Sequence, residues 1–343
     1  MSVQNEKEVK VSVVVVCYNQ EATIGRAIDS VLSQKVDFNY EIIIGDDASS
    51  DKTSAICLEY CRKYPDFIRY IRNETNKGLL NNYYDCVLQA RGKYISDLGG
   101  DDFWIEDNKL QIQSDTMDKY PDVSLVHTDW LEFHEEKGTY LSPWATTNDQ
   151  YPYLDKFASE YPPEFLLCHL KPVVVHLCSA MYRKDFFLEL FREYPDLFRN
   201  KDYLMEDLQL IVLLATKGRF LYINKKTLAY SINDKSITGN TDFIKQFDFY
   251  FSSLKMTSVL EKIIEADQDK LLPFYKETIH FLAMQSFHAD DRKRMKALKS
   301  EIKKMNVAPT FQTKVILWLG CFNPAFILGR KVWKIYRKLV PRK

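Results

Sequence analysis

Carboxylates gather at three places in this 343-residue chain, and their spacing suggests chemistry assisted by a metal. Asp46-Asp47 is followed by Ser49, Ser50 and Asp51, Asp101-Asp102 follows Gly99-Gly100, and Glu206-Asp207 opens an aliphatic run. Tyr18-Asn19, with Glu21 behind it, ends a separate β-branched run. Acids crowded at one turn repel each other. A divalent cation bridging carboxylate and diphosphate relieves that repulsion, and hard oxygen ligands select Mg2+ or Mn2+. A phosphate-only site would show a glycine-rich turn or a lysine cradle. Neither GxGxxG nor GxxxxGK[ST] occurs, which argues against a dinucleotide-binding dehydrogenase and a P-loop NTPase. The thiols and imidazoles suggest less. Cys57 and Cys61, one helical turn apart with no nearby His, read as buried thiols. Cys168 with His169, and His176 with Cys178, fit no common zinc spacing and read as core or acceptor-groove residues.

The elements that must position these residues alternate strand and helix. Val11–Cys17 is a continuous β-branched run, the pattern of a strand buried on both faces. Ile24, Ala27, Ile28, Val31 and Leu32 recur at helical spacing. Glu41–Gly45 is a second buried strand running into Asp46-Asp47, Thr53–Tyr64 a helix, and Ile68–Arg72 a short strand. Leu80, Tyr83, Tyr84, Val87 and Leu88 mark another helical face, and Lys93–Leu98 a strand ending at Gly99-Gly100-Asp101-Asp102. This alternation predicts a doubly wound, mostly parallel α/β sheet with ligands beyond the carboxyl ends of its strands. Leu208, Ile211, Val212 and Ala215 predict a helix whose N-terminus carries Glu206 and Asp207, where the helix dipole favours an anion. Asp51 can cap the helix after it or meet a ligand, and Phe103-Trp104 can line a pocket or pack beneath the acidic turn.

In order along the chain, VSVVVVCYNQEATIGRAIDSVLSQ, EIIIGDDASSDKT, NKGLLNNYYDCVLQARGKYISDLGGDDFW, KLQIQSDTMDKYPDVSLVH and MEDLQL resemble the motifs of glycosyltransferase family 2. The resemblance spans roughly Val11 to Tyr230. It implies a GT-A fold, a nucleotide-diphosphate-sugar donor, and inversion by a single displacement. Carried over residue by residue, it sets Cys17, Tyr18 and Glu21 beside the base and ribose, with one of Asp46 and Asp47 on the base edge. Asn76 and Gly78 shape the neighbouring turn. Asp101 faces the ribose or donor sugar, Asp102 holds the metal on the diphosphate, and Asp207 is the general base with Glu206 beside it. Tyr230, Ser231 and Ser236 resemble a segment that can fold over the diphosphate. Two positions depart from the family pattern. Val16 stands where a proline is common, and Gly99 stands where the first Asp of an Asp-x-Asp-Asp form would be.

Composition sets the remaining expectations. Seven cysteines without a CxxC, and a polar N-terminus, argue for a reducing compartment and against a disulfide framework or signal peptide. The 47 basic and 47 acidic residues balance only in sum. From Phe311 onward there are eight basic residues and no acid, leaving 39 basic and 47 acidic in 1–310. An acidic body disfavours nucleic acid. We expect a catalytic domain over 1–230, with a nucleotide half (1–110) and an acceptor half (111–230) that includes an irregular loop at Tyr151–Pro163. A helical extension over 231–310 follows. The tail, 311–343, interleaves Trp and Tyr with Lys and Arg, and its apolar run Val315–Gly329 is too short to span a bilayer. The expected protein is cytoplasmic, peripheral on the cytoplasmic face of the membrane through this tail; the alternative is an ordinary C-terminal helix packed on the acidic face of the body. It extends a surface glycan on a glycan or lipid-linked acceptor. Rival readings are a catalytically silent nucleotide- or glycan-binding scaffold and a metal-dependent nucleotidyltransferase.

Overall fold

The computed structural model describes residues 8–141, 163–168, 175–232 and 242–320. The expected loop up to 162, His169, Ser236 and the tail from 321 lie outside the described residues. The chain divides into two compact units, Met1–Asn233 and Asp234–Lys343.

The first unit is built on one sheet. Val11–Cys17 (β1) lies between Tyr40–Asp46 (β2) and Tyr94–Gly99 (β4), and Ile68–Arg72 (β3) is the edge strand beyond β2. These four strands run parallel. Val13, Val14 and Val15 are all fully buried, at roughly 1.5–3 kcal/mol apiece, so both faces of β1 must be covered. Ile24–Leu32 (α1) and Thr53–Lys63 (α2) belong to one face. There Val13, Val15, Ile42, Ile44, Ile24, Ile28 and Cys57 form a common core. Leu79–Leu88 (α3) brings Tyr83 and Tyr84 to an aromatic cluster with Phe187 and Phe198. Helices thus cross over the parallel strands as the alternation predicts, and the observed strands match the expected ones to within a residue at each end.

Beyond β4 the sheet turns mixed. Met181–Arg183 (β8) is antiparallel to β4 and to Val123–His134 (β6). β6 runs parallel to Arg219–Ile232 (β9), with irregularities between Val123 and Leu125 and between Thr128 and Trp130. Phe103–Trp104 (β5) lies on β9 and Thr139–Leu141 (β7) on β6, both antiparallel. Lys109–Lys119 (α4) precedes β6, and Pro163–Leu166 (α5), Lys184–Glu193 (α6), Pro195–Arg199 (α7) and Asp207–Lys217 (α8) complete the unit. The apolar pattern of α8 predicts a stripe at 208, 211, 212 and 215. Instead every residue from Leu208 to Leu214 is buried and Ala215 is not, because α8 packs against α5, α6 and β6 at once.

The second unit holds Phe243–Ile263 (α9), Gln268–Ala289 (α10), Arg292–Met305 (α11) and Phe311–Leu319 (α12). Asp242, Asp267, Asp291 and Thr310 cap these helices by accepting from backbone N–H groups one or more residues ahead. Phe247, Leu254 and Leu260 are buried, whereas Val259 is exposed. Among the described residues no helix is long and apolar enough to cross a membrane.

Candidate functional site

The ends of β1 and β2 make one wall. The Tyr18 ring is exposed, and Asn19 takes a left-handed backbone at φ 52°, which asparagine tolerates better than most residues. Its N–H donates to Ser49 Oγ at 3.0 Å and its Oδ1 accepts from Ser50 N at 2.8 Å. Glu21 N donates to Asp51 Oδ2 at 3.1 Å, while Glu21 Oε2 accepts from Lys52 N at 2.9 Å. Asp51 Oδ1 also accepts from Thr53 N at 2.9 Å, so it serves as a helix cap. Asp46 is fully buried. Its Oδ1 accepts from Ser49 N at 2.9 Å and its Oδ2 from the Ser54 and Tyr70 hydroxyls, with Arg72 Nε at 3.7 Å. Burial alone would raise its pKa, but these donors hold it below the ordinary carboxylate value. Asp47 N donates to Cys17 O at 3.0 Å. The Asp47 carboxylate frames the next turn, accepting from Asn73 Nδ2 at 2.9 Å, Lys77 N at 2.8 Å and Gly78 N at 2.9 Å. Gly78 also donates to Asn76 Oδ1 at 3.1 Å, and its φ of 82° suits glycine. The structure therefore brings Cys17, Tyr18, Glu21, Asp46, Asp47, Asn76 and Gly78 together.

The acidic turn follows β4. Gly100 N donates to Val16 O at 2.9 Å. A Cβ on Gly100 would lie 2.3 Å from Gln20 Oε1 and 2.9 Å from Cys17 Cβ, so this approach to β1 needs glycine. A Cβ on Gly99 would lie 2.9 Å from Asp101 Oδ1 and 3.4 Å from Asp102 Oδ2; the two carboxylates converge over that bare α-carbon. Asp102 is buried, and burial followed by the Asp101 charge pushes its pKa well up, although Ser231 N donates to its Oδ1 at 2.9 Å. Asp101 is raised too, by burial first and then, among charges, by Glu135. Among the described residues no three His, Cys, Asp or Glu side chains gather as a metal cage. Two converging carboxylates nonetheless fit a cation that completes its shell with phosphate oxygens and water.

A third wall carries the second acid pair. Asp207 is the first residue of α8, its Oδ1 accepting from Leu208 N at 2.8 Å. Glu206 O accepts from the Tyr84 hydroxyl at 2.7 Å, tying the helix start to α3. Burial, then the neighbouring Asp207 charge, raises the Glu206 carboxyl well above its ordinary value. Cys178 connects this wall to the acidic turn. Its thiol is raised by burial and then by the charges of Asp102, Asp97 and Glu206, so all three lie within electrostatic reach of one sulfur. Trp104 packs beneath the turn, its Nε1 donating to Cys178 O at 3.0 Å. Phe103, half-buried, instead lies under the Arg26 guanidinium and meets Phe133 edge to face.

Three residues escape sequence reasoning. Arg26, on α1, donates from Nη2 to Asp101 O at 3.0 Å and Ser231 Oγ at 3.2 Å and pairs with Glu135, its guanidinium 4.1 Å from the Phe103 ring centroid. Asp97, on β4, is buried with neither oxygen hydrogen-bonded. Burial pushes its pKa to about 8, offset only in part by the Tyr83 hydroxyl, itself 2.8 Å from the Tyr182 hydroxyl, and by Lys109. Lys109, fully buried, donates to Gln113 Oε1 at 2.7 Å, Ser96 Oγ at 2.9 Å and Ala180 O at 3.4 Å, and burial lowers it to about 7. An acid inside a strand otherwise buried was the one available signal, at Asp97. His176 is packed between Trp130 and Tyr230, and burial lowers its pKa to about 4.

Comparison with known proteins gives concordant results. The family model described as Glycosyl transferase family 2 matches residues 12–191. An uncharacterized protein of Mycobacterium tuberculosis is 40% identical over 114 residues, 33% of this chain and 33% of that one. The Escherichia coli UDP-Glc:alpha-D-GlcNAc-diphosphoundecaprenol beta-1,3-glucosyltransferase WfgD is 38% identical over 107 residues, 31% of this chain and 40% of its own. The chain spans about a third of the length of the first curated relatives it matches. Among solved structures, S. aureus TarS 1-349 in complex with UDP-GlcNAc gives a TM-score of 0.58 at 16% identity, covering 87% of this chain and 84% of that one. Mannosyltransferase PcManGT from Pyrobaculum calidifontis, in complex with GDP-Man and Mn2+, gives 0.54 at 14% identity, covering 97% and 88%. At these identities the likeness is one of fold.

Proposed function

The chain belongs to glycosyl transferase family 2 and has the GT-A fold, and from that premise we propose that it is an inverting glycosyltransferase, moving a sugar from a nucleotide-diphosphate sugar to a glycan or lipid-linked acceptor. One observation carries the reading. At the C-terminal end of β4 the Asp101 and Asp102 carboxylates both stand beside the bare Gly99 α-carbon, with Asp102 Oδ1 fixed by Ser231 N, which supports a donor diphosphate held at that turn.

Cys17, Tyr18 and Glu21 border the base and ribose. A carboxylate has about four acceptor sites. Asp46 fills three with Ser49, Ser54 and Tyr70 and presents the remainder to Arg72. Asp47 fills three with Asn73, Lys77 and Gly78 and keeps one for the base edge, in the turn shaped by Asn76 and Gly78. Asp101 faces the ribose or donor sugar, and Asp102 holds a divalent cation on the diphosphate. Such a cation, Mn2+ or Mg2+, supplies Lewis-acid stabilisation to the leaving diphosphate; the PcManGT complex with Mn2+ supports this reading. Glu206, raised by burial and by Asp207, keeps its proton near neutral pH. Asp207 is the first residue of α8, where the helix dipole favours an anion. Asp207 takes the acceptor hydroxyl's proton as the nucleophile forms, a contribution of about 10²–10⁴ in rate. A single displacement without an enzyme nucleophile inverts the anomeric carbon.

The tail supplies peripheral contact with the membrane. Phe311 and Val315 are exposed on one side of α12, and from Phe311 onward the chain has eight basic residues and no acid. Aromatic and basic residues mixed at helical spacing suit an anionic interface.

The decisive experiment is a thermal-shift screen of nucleotide sugars with and without Mn2+, followed by assay of nucleoside-diphosphate release with glycan and lipid-linked acceptors. We expect one donor class to raise the midpoint only with Mn2+, and Asp102→Ala to lose that rise. If no donor raised it and no diphosphate were released, the glycosyltransferase reading would fail.

A further inference from the structure

The acidic turn is held by more than its own backbone. Arg26 reaches it from α1, and every contact it makes there belongs to a different element. Nη2 donates to Asp101 O at 3.0 Å, in the turn itself, and to Ser231 Oγ at 3.2 Å, near the end of β9. Nη1 donates to Glu135 Oε2 at 3.3 Å and Nη2 to Glu135 Oε1, just beyond β6. The guanidinium plane is pinned 4.1 Å from the Phe103 ring centroid and 5.2 Å from that of Phe133. Ser231 then completes a closed set. Its hydroxyl donates to Asp101 O at 2.6 Å and its N–H to Asp102 Oδ1 at 2.9 Å. With Oδ1 fixed in this way, Asp102 Oδ2 is the oxygen on the side of Gly99, where Asp101 Oδ1 also lies.

We propose that Arg26 is a positioning residue for the acidic turn: through Asp101 O, Ser231 and Glu135 it sets the pose in which the Asp102 carboxylate, beside that of Asp101, receives a divalent cation. The proposal rests on the metal reading given above. A planar fork stacked on aromatic rings fixes direction as well as charge, whereas a lysine ammonium supplies charge alone. Charge and pose therefore make opposite predictions. If Arg26 acted only as a nearby positive charge it would repel the cation, and removing it would tighten binding. If it sets the pose, removing it weakens binding.

The test titrates Mn2+ alone into the purified full-length chain by calorimetry, for the parent, Arg26→Met, Arg26→Lys and Ser231→Ala. Outer-shell groups that orient metal ligands typically contribute 10–100-fold to metal affinity. We expect Arg26→Met to bind Mn2+ about 10–100-fold more weakly. Arg26→Lys should recover little, and Ser231→Ala should fall between parent and Arg26→Met. Near-UV circular dichroism in chelator shows whether each variant is folded. Should Arg26→Met not fold, Ser231→Ala decides, since it deletes one hydroxyl from the same set. Unchanged or tighter Mn2+ binding in a folded Arg26→Met, or unchanged binding in Ser231→Ala, overturns the proposal. Full recovery by Arg26→Lys overturns it too, because the planar fork would then not be needed to hold the pose. A parent chain that binds no Mn2+ sinks the metal reading and this proposal with it; binding by the parent with no loss in the variants sinks the proposal alone.

Discussion

Asp97→Asn tests whether the buried acid beneath the site is held uncharged. Asp97 is 3% exposed, neither oxygen has a hydrogen-bond partner, and burial lifts its pKa from 3.8 to about 8. In the unfolded chain the same group ionises near its ordinary value. Between pH 5 and 6.5 the folded protein therefore keeps a proton that the unfolded chain has released. The sign follows from proton counting. A carboxyl whose folded pKa is raised costs nothing below its unfolded pKa, and its cost grows as pH rises toward the folded value. The slope is about 1.4 kcal/mol per pH unit, so the cost grows by about 2 kcal/mol from pH 5 to 6.5. Asparagine does not titrate and escapes it. Staying below pH 7 keeps Lys109, lowered to about 7, mostly protonated in both states. An uncharged Asp97 exerts no charge on Glu206, so on this reading the Glu206 shift is the same in both proteins and cancels in the difference.

The measurement is urea unfolding of parent and Asp97→Asn at pH 5.0, 5.5, 6.0 and 6.5, at constant ionic strength, read by near-UV circular dichroism. The stability of Asp97→Asn relative to parent should climb by about 2 kcal/mol across that range, whatever fixed offset the buried amide adds. The competing arrangement is an ionised Asp97 paired with Lys109. Breaking a buried ion pair costs about 3–5 kcal/mol, and with both groups charged throughout the loss would not vary with pH. A flat, destabilising difference would therefore refute the reasoning.

Three further outcomes follow from the site. Gly99→Ala places a Cβ 2.9 Å from Asp101 Oδ1 at a φ outside the left-handed region, so the strain falls on that carboxylate rather than on the backbone. Calorimetric Mn2+ affinity should therefore fall about tenfold; unchanged affinity would show that the carboxylates do not converge there. Asp207→Asn should lower kcat by about 10²–10⁴ with donor affinity intact, and parental turnover would remove the base assignment. The full chain should float with anionic vesicles and be released as salt rises, and deletion of 311–343 should abolish flotation. A deleted chain that still floats would exclude the tail as anchor.

The parallel half of the sheet was legible because burial on both faces leaves a compositional mark. Val11–Cys17 and Ile68–Arg72 have the bounds their sequence predicts. The acidic turn was legible because Gly99-Gly100-Asp101-Asp102 ends such a strand. The second half left weaker marks. β9 mixes Asn224, Lys225 and Lys226 with apolar residues, and the irregular register against β6 near Thr128–Trp130 breaks any period-two pattern. β8 has only three residues. Arg26 was invisible for another reason. Its partners lie 75, 109 and 205 residues away, so its neighbours Ile24, Ala27 and Ile28 show only a helix with a buried face. Residues that bond locally can be read from sequence, whereas those that join distant turns require the fold.

Charge accounting ties Gly99 to Arg26. Asp101, Asp102 and Glu135 surround the turn, and Arg26 offsets one of them. When all are ionised this leaves a local charge equal and opposite to one divalent cation. An acid at position 99 would begin 2.9 Å from Asp101 Oδ1. At about 4 Å and an effective dielectric near 20, each added like-charge pair costs on the order of 4 kcal/mol. Arg26 is already paired with Glu135 and so would not offset that repulsion. On our reading of the site, the departure from the family's acidic pattern at Gly99 is matched to the Arg26–Glu135 pair. Two carboxylates held in a fixed pose take the place of a larger acidic cluster, and the firmness of that pose, rather than the number of acids, sets how well the turn receives its cation.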